Sequence, residues 1–259
     1  MAVTSEHHAD ELAATLHDEF PWMAVATEQL WHDMRRSVRD GLPGLRIRPL
    51  LLDGVPGIGK SVWARRLAEL INAPTLTYEA TNESASFGLV GSQKAWGNAS
   101  PGRLINLIIE RRVGNPVVVL DEIDKAVAAS STKGQSFDLP TALLPLLEAA
   151  TARRWSCPFF EVPLDMSWVI WVLTSNNWRC LPEPLLSRCP PICLPALTLP
   201  NLIGFVHRQG RLRALTDISV EVMIQALQMH SRHPERLSLR TAIRLLDRAA
   251  VLEAAPSLH

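Results

Sequence analysis

Residues 54–61 read Gly54-Val55-Pro56-Gly57-Ile58-Gly59-Lys60-Ser61, three glycines followed by a cation and a hydroxyl. Glycines let backbone N–H groups curl around a phosphate, and a helix opening at Lys60 adds the partial positive charge of its N-terminus. Lys60 then offers a mobile cation to β- and γ-phosphates, and the Ser61 hydroxyl suits a magnesium ion. Further along, the apolar run 117–120 delivers two adjacent carboxylates, Asp121 and Glu122. Asp121 can hold Mg2+ through water. Glu122 can polarise an attacking water, which marks hydrolysis rather than binding alone.

Such groups need elements that bring them together. Short apolar runs at 50–53, 76–79, 117–120, 168–174 and 192–194 read as buried strands. Helical periodicity occupies 61–71, 103–112 and 139–150 between them. Buried strands alternating with amphipathic helices predict an α/β fold: a parallel sheet with helices on both faces, its ligand site at the C-terminal strand ends. After Pro195 only helices are expected, clearest at 220–229 and 239–252, forming a small all-α lid. The division expected is a flexible N-terminal extension at 1–19, a nucleotide-binding core at 20–197 and a helical lid at 198–259.

Composition narrows the function classes. The chain has 259 residues, 26 Lys and Arg against 26 Asp and Glu, and 47% hydrophobic residues. A packed core is expected, and coating nucleic acid or an anionic membrane by bulk charge is not. The longest unbroken apolar run, 168–173, is far shorter than a membrane span, and the acidic N-terminus lacks the features of a signal peptide. A cytoplasmic protein is therefore expected. Cys157, Cys180, Cys189 and Cys193 fall in one region but lack two close pairs, so they read as reduced, mostly buried thiols rather than a zinc site.

The chain resembles the AAA+ ATPases, and within them the ATPase module of Lon-type proteases. Residues 54–61, Asn115-Pro116, the run Leu120-Asp121-Glu122-Ile123-Asp124-Lys125, residues 142–148, Thr174-Ser175-Asn176 and residues 181–188 carry the resemblance. It implies a P-loop NTPase fold, with ATP and Mg2+ as ligands and ATP hydrolysis as the reaction. Residues 54–61 and Asp121 would bind nucleotide, with Ser61 and Asp121 toward magnesium. Glu122 and Asn176, the latter as sensor 1, would place the water. Arg188 matches the arginine finger, acting on the nucleotide of a neighbouring subunit in a ring, expected as a hexamer. Arg240 matches sensor 2 on the lid. Phe20-Pro21-Trp22-Met23 falls roughly where the family places its base-binding box, and reads equally as packing for the N-terminal helix. Trp96-Gly97 falls where Lon-like unfoldases carry a substrate-gripping pore loop, although Trp96 also reads as a side chain packed under its loop. Residues 153–165 resemble an inserted hairpin. No protease domain follows the lid in this sequence, so a bare motor is expected, working on protein substrates or with a separate partner protein. A nucleic-acid-linked AAA+ role, such as a helicase loader or a transposition helper, stays open as the alternative.

Overall fold

The computed structural model describes residues 3–80, 86–94, 97, 99–126, 138–230 and 237–254. In chain order, α1 (Glu6–Glu19) and α2 (Ala24–Arg39) lead into β1 (Leu50–Asp53), α3 (Lys60–Leu70) and β2 (Thr75–Glu79). A single turn, α4 (Phe87–Val90), precedes α5 (Arg103–Arg111) and β3 (Val117–Asp121). Next come α6 (Leu139–Leu147), α7 (Ala149–Ala152), the short strands β4 (Trp155–Ser156) and β5 (Pro163–Leu164), and β6 (Ile170–Ser175). The chain continues through α8 (Glu183–Arg188) and β7 (Pro191–Cys193) to three helices, α9 (Leu199–Leu212), α10 (Asp217–His230) and α11 (Leu239–Ala254).

Five strands form one sheet in the order β2-β3-β6-β1-β7, with every neighbouring pair parallel. Alternation along each strand explains the unbroken apolar runs. Leu50, Leu52, Val117, Val119, Ile170 and Val172 enter the core on one face, while Leu51, Val118, Leu120, Trp171 and Leu173 enter the core on the other. Both faces are covered, so the interiors of the central strands are almost wholly apolar. The β4–β5 pair is antiparallel and forms the expected hairpin.

Residues 6–19 are not a loose extension. Ser5 caps α1 by accepting the His8 N–H, and Ala9, Ala13 and Leu16 are buried in the same core as Trp22, Leu30 and Trp63. The polar face of α1 is tied down as well: Asp10 accepts from Arg35 at 2.8 Å and from the Trp31 indole at 2.6 Å, and Glu19 receives a fork from Arg66 of α3. The helix expected at 139–150 is interrupted. Pro145 lies inside α6, the backbone at Glu148 is extended, and the Pro145 carbonyl is taken by the Thr151 hydroxyl at 2.7 Å.

The three C-terminal helices dock against the P-loop side of the sheet. Thr198 and Asn201 form a capping box that opens α9. Phe205 meets Trp22 edge to face, with ring centroids 6.4 Å apart. Phe20, Trp22 and Met23 are therefore packing residues, and the Trp22 indole donates to the Ile58 carbonyl at 2.9 Å. The cysteines divide evenly rather than being mostly buried: Cys157 and Cys189 are buried, whereas Cys180, ending a short 3-10 turn, and Cys193, in the edge strand β7, are exposed. Burial pushes the Cys189 thiol up to about 12, which leaves it inert at neutral pH. Among the described residues no helix is long and apolar enough to cross a membrane.

Membership of α1 in the core is testable. Leu16→Ala should lower the unfolding free energy by about 2–5 kcal/mol, the usual cost of truncating a buried leucine, as read from urea denaturation. A cost below about 0.5 kcal/mol, typical of a surface position, would return α1 to the status of an appendage.

Candidate phosphate-binding and hydrolytic site

Three strand ends build the site. β1 ends at Asp53 and feeds the loop 54–59, β3 ends at Asp121 beside Glu122, and β6 ends at Ser175 beside Asn176. Register places these ends level, with Asp53 opposite Ser175 and Leu120 opposite Leu173. The loop needs its glycines. Gly57 and Gly59 have φ of 83° and 95°, a region that L side chains avoid. The room above them is also taken, since a Cβ on Gly59 would come within 2.6 Å of the Leu239 side chain.

Lys60 opens α3 and is only 7% exposed. Its ammonium donates to the Gly54 carbonyl at 2.6 Å, the Asn176 side-chain oxygen at 3.0 Å and the Val55 carbonyl at 3.3 Å. Burial lowers its pKa from the ordinary lysine value, against the pull of Asp53, Asp121, Asp124 and Glu122. Asp121 accepts from Ser61 at 2.8 Å and from Thr174 at 2.5 Å through one oxygen. The Ser61 and Asp121 oxygens thus sit side by side, a donor pair that fits a hard divalent cation.

Glu122 has φ of 55°, an unusual conformation for a residue with a side chain. Its N–H donates to the Thr174 hydroxyl at 3.0 Å, which braces the turn. One carboxylate oxygen lies 3.4 Å from the Asn176 amide nitrogen and the other 2.8 Å from the Lys125 ammonium. The pairing raises the Lys125 pKa. Glu122 and Asn176 are therefore neighbours in the cleft.

These groups share a cleft of about 430 Å³, walled by the loop, α3, the strand ends and the first turns of α11. Arg240 lines it with Arg65, Arg244, Thr77 and Glu79. Sequence reasoning passed over Thr174, which holds both Asp121 and the Glu122 backbone, although it stands in the same tripeptide as Asn176. It also passed over Arg65 and Arg244, whose position in the cleft depends on tertiary packing.

Arg188 is elsewhere. It ends α8, just before β7, and β7 runs parallel to β1, so Arg188 lies at the N-terminal edge of the sheet. β1 is four residues long, so roughly 10–13 Å of strand separates this edge from the phosphate loop. There the Arg188 guanidinium contacts Glu148 at 3.0 Å and donates to the Pro184 carbonyl at 2.9 Å, lining a separate cleft of about 820 Å³. Trp96 lies outside the described residues. Gly97 is exposed, and its loop is closed at the base by a bridge between Gly91 and Pro101.

The lowered Lys60 pKa sets a pH dependence. A phosphate ligand favours the charged ammonium, so affinity for a polyphosphate should hold at neutral pH and fall as pH rises through the Lys60 pKa, with a midpoint below the ordinary value of 10.5. Titration calorimetry between pH 7 and 10.5 would read this. Affinity that stays flat across that range would contradict the role given to Lys60.

Comparison with known proteins accords with this geometry. Over 229 residues the chain is 30% identical to the peroxisomal Lon protease homolog 2 of Zea mays, covering 85% of this chain and 25% of that protein. It is 28% identical over 255 residues to the mitochondrial Lon protease homolog of Drosophila melanogaster, covering 86% and 24%. With the Lon protease of Clostridium beijerinckii it shares 31% identity over 175 residues, covering 68% and 20%. The chain thus spans about a quarter or less of the length of these relatives. Among solved structures it superposes on a chain of the S. cerevisiae Hsp104:casein complex with a TM-score of 0.69 at 17% identity, covering 92% of this chain and 46% of that one. A family model described as the ATPase family associated with various cellular activities matches residues 50–194, more than half of the sequence, and the chain belongs to this AAA family of ATPases.

Proposed function

We propose that the chain is the ATP-hydrolysing motor of a ring, hexameric by the family resemblance, in which each subunit completes the active site of the next. The observation that carries this reading is the separation of Arg188 from the phosphate loop, at opposite edges of one parallel sheet. A cation so placed cannot reach the nucleotide of its own chain, but it suits a neighbour's. Residues 54–61 cradle the phosphates, and Lys60 exchanges its carbonyl partners for phosphate oxygens. Ser61 and Asp121 would hold a magnesium ion, which supplies charge neutralisation on the phosphates. Glu122 accepts a proton from the attacking water while Asn176 orients it. Arg188 of the adjoining subunit leaves Glu148 and offsets charge on the transferring phosphoryl group, an effect of roughly 10³–10⁵ in rate. Arg240 couples the helices after β7 to the phosphate state.

The work performed is protein remodelling. Kinship with Lon proteases and a fold shared with a protein solved in complex with casein support polypeptide as the substrate. The balance of 26 cations against 26 anions gives no bulk attraction for nucleic acid.

Mixing variants tests the shared site. Arg188→Ala and Glu122→Gln should each bind ATP yet hydrolyse it at least 10²-fold more slowly than the unaltered chain, and a one-to-one mixture should regain measurable turnover. In mixed rings an intact Glu122 would meet an intact Arg188 across one interface. A mixture no faster than its components, or Arg188→Ala turning over normally, would overturn the shared-site assignment. For the substrate, an unfolded polypeptide should stimulate ATPase turnover in a phosphate-release assay. Stimulation by single-stranded DNA alone would favour the nucleic-acid reading.

A further inference from the structure

α11 is anchored to the phosphate loop at its first residue. The Leu239 N–H donates to the Gly57 carbonyl at 2.7 Å, and the Leu239 side chain covers Gly59. Ser238 packs over Gly57 and caps the helix by accepting the Thr241 N–H at 3.1 Å. The direction of the helix relative to the loop is therefore fixed, and its periodicity decides which side chains meet the cleft. Leu239, Ala242 and Leu246 turn into the core. Arg240, Ile243 and Arg244, spaced i, i+3 and i+4, form the other stripe, and all three line the cleft opposite Lys60, Ser61, Asp121 and Glu122. Arg248, a turn further on, does not.

The resemblance accounts for Arg240 and leaves Arg244 without a task. Arg244 is exposed and has no ion pair or hydrogen bond among the described residues. Nearby carboxylates are engaged by other groups: Asp121 by Ser61 and Thr174, Glu122 by Lys125 and Asn176. Arg244 makes no ion pair with the cleft's carboxylates, so its charge is free for a polyanionic ligand that enters beside Lys60. One helical turn, ~5–6 Å along the axis, separates Arg240 from Arg244, so the two forks can engage successive parts of an extended polyphosphate.

We propose that Arg244 is a second nucleotide-contacting residue of the cleft, binding the polyphosphate chain alongside Arg240, so that α11 presents a two-arginine rail. The inference rests on the ATP reading above. In consequence, two groups on one rigid helix would fix the angle of the helix over the nucleotide, where one alone would leave it free to pivot.

The test is equilibrium binding of a fluorescent ATP analogue and a fluorescent ADP analogue to the full chain, diluted until sizing shows monomer. Arg244→Ala should weaken binding about tenfold, a loss of one charge-assisted contact, and Arg244→Glu at least a hundredfold. Arg244→Lys should fall between Arg244→Ala and the unaltered chain, because a point charge replaces the fork. Arg248→Ala should bind as the unaltered chain does, and unchanged thermal melts would exclude misfolding. Wild-type affinity in both Arg244→Ala and Arg244→Glu would overturn the proposal. So would a loss confined to assembled chains, which would make Arg244 an interface residue. Absence of binding by the unaltered chain would overturn the ATP reading itself, and the two failures are thereby distinguished.

Discussion

Lys60 is only 7% exposed, so its ammonium has to be surrounded by oxygen, and the site is organised around satisfying it. It draws on the Gly54 and Val55 carbonyls and on Asn176, with the carboxylates of Asp53, Asp121, Glu122 and Asp124 near enough to oppose its desolvation. These groups come from three strands and their loops, so only a sheet that sets the ends of β1, β3 and β6 level can supply them. Hydrophobic packing on both faces fixes that register, because a slip of one residue would exchange the two core faces. A phosphate entering the loop must replace the oxygens that Lys60 gives up. Asn176 contacts both Lys60 and Glu122. In the proposed mechanism, the phosphate-binding lysine and the water-placing glutamate would thus meet at one amide.

The opposite edge of the sheet follows a different rule. Arg188 is held by Glu148, a residue aimed by the break that separates α6 from α7. Half-exposed ion pairs of this kind are worth little, about 0–1 kcal/mol, so the guanidinium can leave for a better anion. In the proposed ring, that anion is the transferring phosphoryl group of a neighbour. The helices after β7 meet the first edge directly, through Leu239 on Gly57 and Phe205 on Trp22. A movement of those helices is therefore felt by the loop without an intermediary.

Much of this was legible in the residues. The central strands β1, β3 and β6 declared themselves because both faces are buried, which leaves apolar runs with sharp polar ends; the edge strands β2 and β7 are shorter in apolar content and marked by their neighbours. The loop 54–61 declared itself because each residue type has a geometric duty there. α1 did not, because its buried stripe is mostly alanine, Ala9 and Ala13 with Leu16, which hydropathy barely marks, and three of its carboxylates, Glu6, Asp10 and Glu19, are paired with Arg35 and Arg66. The base-binding reading of Trp22 gave way to packing because its partners, the Ile58 carbonyl and Phe205, are remote in sequence. Thr174 was visible as a residue, but its double hydrogen bond exists only once β3 and β6 lie side by side. Glu148 pairs with Arg188 across 40 residues of chain, a distance no local pattern encodes.

The central claim is that one chain holds a phosphate site but not the cation that completes it. ATP turnover per chain, measured across a wide range of protein concentration with the molecular mass recorded at each point, tests this most directly. The account predicts turnover that is near background for the monomer and rises in step with the assembled fraction. Turnover per chain that is constant from monomer to assembly would contradict it.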